Sequence, residues 1–293
     1  MKRTILITLF AYIFYSQVFS QQTKFVKSSD GVNIAYQVYG EGNIPLVFVH
    51  GWCCDKSYWN EQTNYFKNQY RIVTIDLAGH GESGLGRKSY TIPMFAMDVS
   101  AVINQLGLEK FILIGHSLGA DVVVETAVRN LDKTLAVFSI DGLTDIPNVK
   151  SEEEIDTIKK KIHSEWTVQE FKSKAYNWVI SLQHPESDSA LIKKCAMDMS
   201  MNDPFVAIDA YVNNVQWYYH DYPNSIKVIK NIPLISISST DKPNVEEFRN
   251  YGVNFQDFRM EGLSHFLHMS NPVEFNKIFG EQLNKILKSK ASL

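Results

Sequence analysis

The sequence predicts an α/β protein: a mostly parallel central sheet with helices on both faces, and a helical lid inserted in the middle of the chain. Three observations carry that prediction. Continuous apolar runs, "PLVFV", "RIVTI", "KFILIG" and "LAVFSI", recur through the first half, and each opens into a glycine-bearing loop. A strand covered on both faces needs apolar side chains at successive positions, because neighbours point to opposite faces. Amphipathic stretches of helical period separate these runs, which is the rhythm of a parallel sheet. Finally, the alternation stops near Gly142 and resumes near Ile232 with "IPLISISSTD", so the intervening stretch reads as an insertion between two strands.

The elements follow in order. "MKR", then the apolar "TILITLFAYIFY", then "SQVFSQQ" has the layout of a secretory signal peptide, with cleavage expected after Ser20. The apolar run is shorter than the roughly 20 residues that cross a bilayer. The protein is therefore expected to be exported, periplasmic or extracellular, with no membrane span left after signal removal. "KFVKSSDGVNIAYQVYG" predicts two strands around the turn "SDG". "DKSYWNEQTNYFKN" places Trp59, Thr63 and Phe66 on one helical face. "TIPMFAMDVSAVINQLG" predicts a helix with Phe95, Val99, Val102, Ile103 and Leu106 inward and Gly107 as its stop. "DVVVETAVRNL" predicts the next helix, and "NFQDFRMEG" a last strand ahead of a helix over Pro272 to Leu287. The expected division is residues 1–20 as signal, 21–142 and 231–293 as core, and 143–230 as lid.

Composition narrows the function classes. Of 293 residues, 45% are hydrophobic and 21% charged, with a formal net charge of −3, an ordinary balance for a soluble globular protein. There is no basic stripe, so nucleic acid is not an expected partner. The cysteines Cys53, Cys54 and Cys195 lack metal-site spacing and are expected as buried free thiols. Neither a metal nor a cofactor is expected.

The chemistry concentrates in "FILIGHSLGADVVVETA". Ser117 stands between Gly115 and Gly119 where a buried strand turns sharply into a helix. Glycines there relieve the collisions of a tight reversal, and the serine hydroxyl is exposed above the sheet edge, next to helix N–H groups that favour an anion. A serine hydroxyl needs a base. His265, at the end of the last strand in "GLSHFLH", is the expected base, with His268 as a surface or supporting histidine. A carboxylate must orient that imidazole. Asp241, after "LISISST", is the first choice; Asp141 and Asp145 are the fallback. The backbone N–H groups of Trp52 and Leu118 are the expected oxyanion donors. His50, His80 and His116 are expected to pack or hydrogen-bond beside the site, and Asp76 to be structural.

Taken together, "VHGW", "DLAGHGES", "GHSLGA", "SSTD" and "GLSHF" resemble the lidded α/β-hydrolase superfamily, over about Lys24 to Lys288 apart from the lid. That resemblance implies Ser117, Asp241 and His265 as a catalytic triad acting through an acyl-enzyme that water hydrolyses. The serine at the elbow is unlike haloalkane dehalogenases and epoxide hydrolases, which carry aspartate there. The lid holds many aromatics, among them Trp166, Phe171, Trp178, Tyr211, Trp217, Tyr218 and Tyr222. Most are expected in the lid's own core, and a few facing Ser117 to form an apolar pocket for a small hydrophobic ester, lactone or amide. The expected partners are a small acyl substrate and water. Alternatives on the same scaffold are a lactonase, a C–C bond hydrolase, an aminopeptidase or a perhydrolase. A ligand-sensing binding protein is the non-enzyme alternative.

Overall fold

The structure is a computed structural model; it describes residues 22–182, 184, 187–239 and 242–291. The proposed signal segment and Asp241 lie outside the described residues. Eight strands form one sheet in the order β1-β2-β4-β3-β5-β6-β7-β8. They are β1 (Lys24–Lys27), β2 (Asn33–Tyr39), β3 (Leu46–Val49), β4 (Ile72–Ile75), β5 (Phe111–His116), β6 (Thr134–Ile140), β7 (Leu234–Ser238) and β8 (Phe255–Arg259). β1 and β2 form a hairpin, and β2 runs antiparallel to β4; every other pairing is parallel.

The apolar runs resolve into two faces of period two. Val47, Val49, Val73, Ile75, Leu113 and Val137 face one way, towards helices α2 (Ile92–Gln105) and α3 (Leu118–Arg129). Leu46, Phe48, Ile72, Ile112, Ile114 and Phe138 face the other, towards α1 (Asn60–Phe66) and the terminal helix over Pro272–Ala291. Burying a side chain of this size stabilises by about 1.5–3 kcal/mol, so both faces hold the sheet between its helical layers.

Between β6 and β7 the chain leaves the sheet, as expected. It forms α4 (Glu152–Glu165), α5 (Phe171–Ser181), α6 (Ser189–Ser200), α7 (Pro204–Gln216) and α8 (Tyr222–Val228). Ser151 and Glu154 close α4 with a reciprocal capping box. Asp188 and Asp203 cap α6 and α7 through their side chains. A π-helical turn, Trp217–Asp221, joins α7 to α8. These helices lie over the carboxyl ends of the strands, and the lid is their name below. After β7 come α9 (Val245–Asn250) and, beyond β8, α10 (Leu267–Ser270) and α11 (Pro272–Ala291). Among the described residues no helix is long and apolar enough to cross a membrane.

The strand order places the site. β3 is followed by β4 on one side in the sheet and by β5 on the other. The loops leaving β3 and β5 therefore diverge, and the crevice between them is where ligands bind in open α/β sheets. Trp52 leaves β3 at this point and Ser117 leaves β5.

Candidate active site

Ser117 occupies the junction of β5 and α3 with φ 53° and ψ −125°, a conformation that costs a non-glycine residue of order 1–3 kcal/mol. Its neighbours show what holds it there. A Cβ on Gly115 would meet Gly119 O at 2.1 Å, and one on Gly119 would meet His50 O at 2.5 Å. Both positions must lack a side chain for β5, α3 and β3 to close on one another. A Cβ on Gly51 would lie 3.1 Å from the Ser117 Cβ, so the β3 loop passes directly beside the serine. Ser117 N donates to Ile140 O at 3.0 Å, tying the elbow to β6.

His265 follows β8, and its Nδ1 lies 2.8 Å from Asp141 Oδ2. The second oxygen of Asp141 accepts from Ser239 N at 2.7 Å. Ser239 Oγ in turn donates to Leu263 O at 2.7 Å, so the ends of β6, β7 and β8 are joined by one chain of bonds. The described carboxylate at His265 is thus Asp141, the fallback of the sequence reading. Asp241, its first choice, lies outside the described residues. The physical reason lies at the end of β6. Asp141 takes φ 46°, a left-handed conformation that aspartate tolerates better than most residues. Beside it, Gly142 passes close to the elbow: a Cβ there would lie 2.4 Å from the Ala120 Cβ and 2.9 Å from Ser117 O.

Ser117, Leu118, Trp52, Asp141 and His265 line one cavity of about 860 Å³ under the lid. From the lid, Trp166, Trp178, Tyr211, Tyr218 and Tyr222 reach it. Phe171 and Trp217 are buried instead, Phe171 against Trp52 at 6.1 Å between ring centroids, and Phe205 is exposed. The aromatics thus divide as expected between a lid core and a pocket wall. Trp52 is the hinge of that wall: its indole N–H donates to Ala207 O at 2.7 Å, and its ring meets Trp166 and Trp178 edge-on at 5.6 and 5.4 Å.

His50, His80, His116 and His268 do not line the cavity. His116 Nε2 donates to His265 O at 2.9 Å, which fixes the backbone that carries His265. His50 Nε2 accepts from Leu77 N at 3.0 Å, joining the β3 and β4 loops. Burial pushes His50 down to about 4 and His80 and His116 down to about 3, so all three are neutral at pH 7. His268 is not at the surface: it is fully buried, 4.7 Å from the His116 ring and 4.5 Å from Trp59. Asp76 is a loop anchor, accepting from Lys56 N, Glu82 N and Lys56 Nζ at 2.7, 2.9 and 2.6 Å. The three cysteines are buried free thiols.

Two further residues that line the cavity were not legible from the sequence. Asp121 sits in the first turn of α3, where an acidic residue reads as a partner for the helix dipole. Here it faces the cavity, accepts from Asn214 Nδ2 at 2.7 Å, and is raised by burial to about 7. Tyr222 reads as one more lid aromatic, yet it is fully buried with its hydroxyl unpartnered.

Comparison with known proteins agrees with this architecture. The profile of a family described as "alpha/beta hydrolase fold" matches residues 44–185. A bifunctional esterase/perhydrolase of Acinetobacter calcoaceticus is 29% identical over 52% of this chain and 55% of its own length; the match thus spans about half of that relative. Among solved structures, a thermophilic esterase from Thermogutta terrifontis superposes with a TM-score of 0.76 at 20% identity, covering 90% of this chain and 99% of that one. Est816, described as an N-acyl homoserine lactone degrading enzyme, gives a TM-score of 0.71 at 20% identity over 88% and 99%. With its strand order, its strained serine between two obligatory glycines and these similarities, the chain has the α/β-hydrolase fold, and over residues 44–185 it is similar to the family of that description.

Proposed function

We propose that this protein is an exported serine hydrolase that cleaves a small carboxylic ester through an acyl-enzyme intermediate. The observation that carries the reading is the 2.8 Å bond between His265 Nδ1 and Asp141 Oδ2, in one cavity with a serine held at φ 53°. In this reading Asp141, not Asp241, is the orienting carboxylate. It accepts Nδ1–H and so leaves Nε2 as the basic nitrogen of His265.

The steps follow from those roles. Ser117 Oγ attacks the acyl carbon while His265 Nε2 takes its proton. The carbonyl oxygen becomes an oxyanion, received by the backbone N–H groups of Trp52 and Leu118. Leu118 is the first residue of α3, so the helix N-terminus adds its partial positive charge. His265 then gives the proton to the leaving alkoxide, and the alcohol departs. Water enters, loses a proton to His265 and attacks the acyl carbon; the bond to Ser117 Oγ breaks, His265 returns the proton to that oxygen, and the acid leaves. Throughout, Asp141 stabilises the imidazolium that forms.

The esterase and esterase/perhydrolase relatives support an ester as the substrate class, and the aromatic wall supports a compact apolar acyl or alcohol group. Export is proposed from the basic start and apolar run ahead of Ser20. Turnover of short p-nitrophenyl esters tests the enzymatic reading. Ser117→Ala should lower kcat by about 10⁴-fold or more; wild-type protein with no turnover on any acyl substrate would overturn it.

A further inference from the structure

The cavity is not uniformly apolar, and its composition beyond Ser117 names a substrate feature; this inference deepens the hydrolase reading and rests on it. One helical turn along α3 from Ser117, Asp121 lies deep in the protein yet keeps access to the cavity. Its Oδ2 accepts from Asn214 Nδ2 at 2.7 Å, and Oδ1 has no hydrogen-bond partner among the described residues. Tyr222 lines the same cavity, fully buried, with a hydroxyl that has no hydrogen-bond partner among the described residues. Burial holds that hydroxyl far above the usual tyrosine range, with the Asp121 carboxyl as a further cause, and both residues line the same cavity. The Tyr222 ring stacks on Tyr218 at 5.8 Å and 14°, and the Tyr218 hydroxyl donates to Asp145 Oδ1.

These groups come from four separate segments: α3, the end of α7, the π turn with α8, and the loop after β6. The π turn matters because its wider winding changes the register at Tyr218–Tyr222 before α8 begins. The carboxyls lining the cavity besides Asp141 are Asp121, Asp145 and Glu261. The one arginine, Arg259, donates to Ser238 Oγ and Ser239 O at 3.2 and 2.9 Å at the β7–β8 side. His184 and His265 complete the titratable lining. The rings of Trp52, Trp166 and Tyr211 line the same cavity, 5.6 to 6.0 Å apart.

An alkyl chain would leave the Asp121 carboxyl and the Tyr222 hydroxyl buried against hydrocarbon, an unfavourable arrangement for both. A neutral hydroxyl would satisfy one of them. An ammonium group brings several N–H donors and a charge, which a carboxylate, a hydroxyl and aromatic faces together accommodate. We propose that the Asp121 end of the cavity receives a protonated amine of the substrate, with Asp121 as counter-charge, Tyr222 as a second acceptor and the Trp52, Trp166 and Tyr211 rings as walls. The substrate class is then an ester that carries a basic nitrogen at a distance from the acyl carbon.

Binding tests this without turnover. Benzylamine, protonated at neutral pH, and benzyl alcohol, its neutral counterpart, are titrated into the full chain with calorimetry or tryptophan fluorescence as readout. The expected result is about tenfold or greater preference for the amine. Asp121→Asn, which keeps the contact with Asn214, should bring the ratio near one. Tyr222→Phe, which removes a hydroxyl with no partner and so leaves packing intact, should weaken the amine alone by about threefold. Equal binding of the two ligands to wild type, or an unchanged ratio in Asp121→Asn, would overturn the proposal. Phosphonate labelling of Ser117 separates the two readings: labelling without amine preference removes this proposal and leaves the hydrolase standing.

Discussion

Ser117, His265 and Asp141 each come from a different strand end, and each was legible to a different degree. Ser117 announces itself because its conformation needs glycine at two flanking positions, so the physical constraint is written into neighbouring letters. His265 is legible as a histidine at a strand-to-loop boundary, followed by the apolar residues that bury its neighbours. The carboxylate was not. Asp141 and Asp241 both follow a buried strand, and the pattern of letters does not encode which loop turns towards His265. What decides the described contact is the left-handed backbone at Asp141, φ 46°, and the bond from Ser239 N to its other oxygen at 2.7 Å. A consequence follows for kinetics. Asp141→Asn preserves shape but replaces the acceptor that fixes the imidazole tautomer, so kcat for ester hydrolysis should fall by about 10³–10⁴-fold. Asp241→Asn should change it by less than about tenfold. Steady-state rates of the two variants side by side check the assignment, and the reverse ranking would return the role to Asp241.

At the scale of elements, the four central strands were the most legible part of the chain. Their residues are apolar at every position because both faces are covered, and the covering helices show as 3.6-residue stripes. The hairpin of β1 and β2 was marked by "SDG", which forms the turn with Gly31 at φ 87°. The lid was legible as a helical interruption but not in its details. A π turn carries no periodic signal of its own, since the extra residue per turn merely shifts one stripe against the next. Hence Tyr218 and Tyr222 could not be sorted from the aromatics that build the lid core. The same limit hid Asp121, whose letter fits a helix start equally well whether it faces solvent or a cavity. Elements that bury one uniform face are readable; elements that must pack on one side and line a pocket on the other are not.

For the whole molecule, the placement of histidines sets the response to acid. His50, His80 and His116 are held down by burial to about 4, 3 and 3, and His268 is pushed well below its ordinary value for the same reason. In the unfolded chain each takes up a proton near pH 6.5, whereas the folded protein excludes it. Their contribution to stability is fully present above about pH 6.5 and is lost as pH falls towards their folded values, at up to about 1.4 kcal/mol per unit for each histidine. Asp121, raised to about 7, works in the opposite direction, since the folded state then holds the extra proton. Asp76 and Asp98 are also raised by burial and act in the same sense as Asp121, but between pH 7 and pH 5 the four histidines outweigh them. The urea midpoint should therefore be lower at pH 5 than at pH 7; an equal or higher midpoint at pH 5 would contradict the neutral, buried state of these side chains.

The central claim is that Ser117 is a nucleophile activated by His265 and held ready by the elbow. A fluorophosphonate probe followed by intact-mass and peptide mass spectrometry addresses it most directly, because the probe bonds only to an activated nucleophile and the peptide names the residue. The account predicts one adduct per chain, located on Ser117, absent from Ser117→Ala and formed far more slowly in His265→Ala. No adduct on the folded wild-type protein, or an adduct on any other residue, would contradict it.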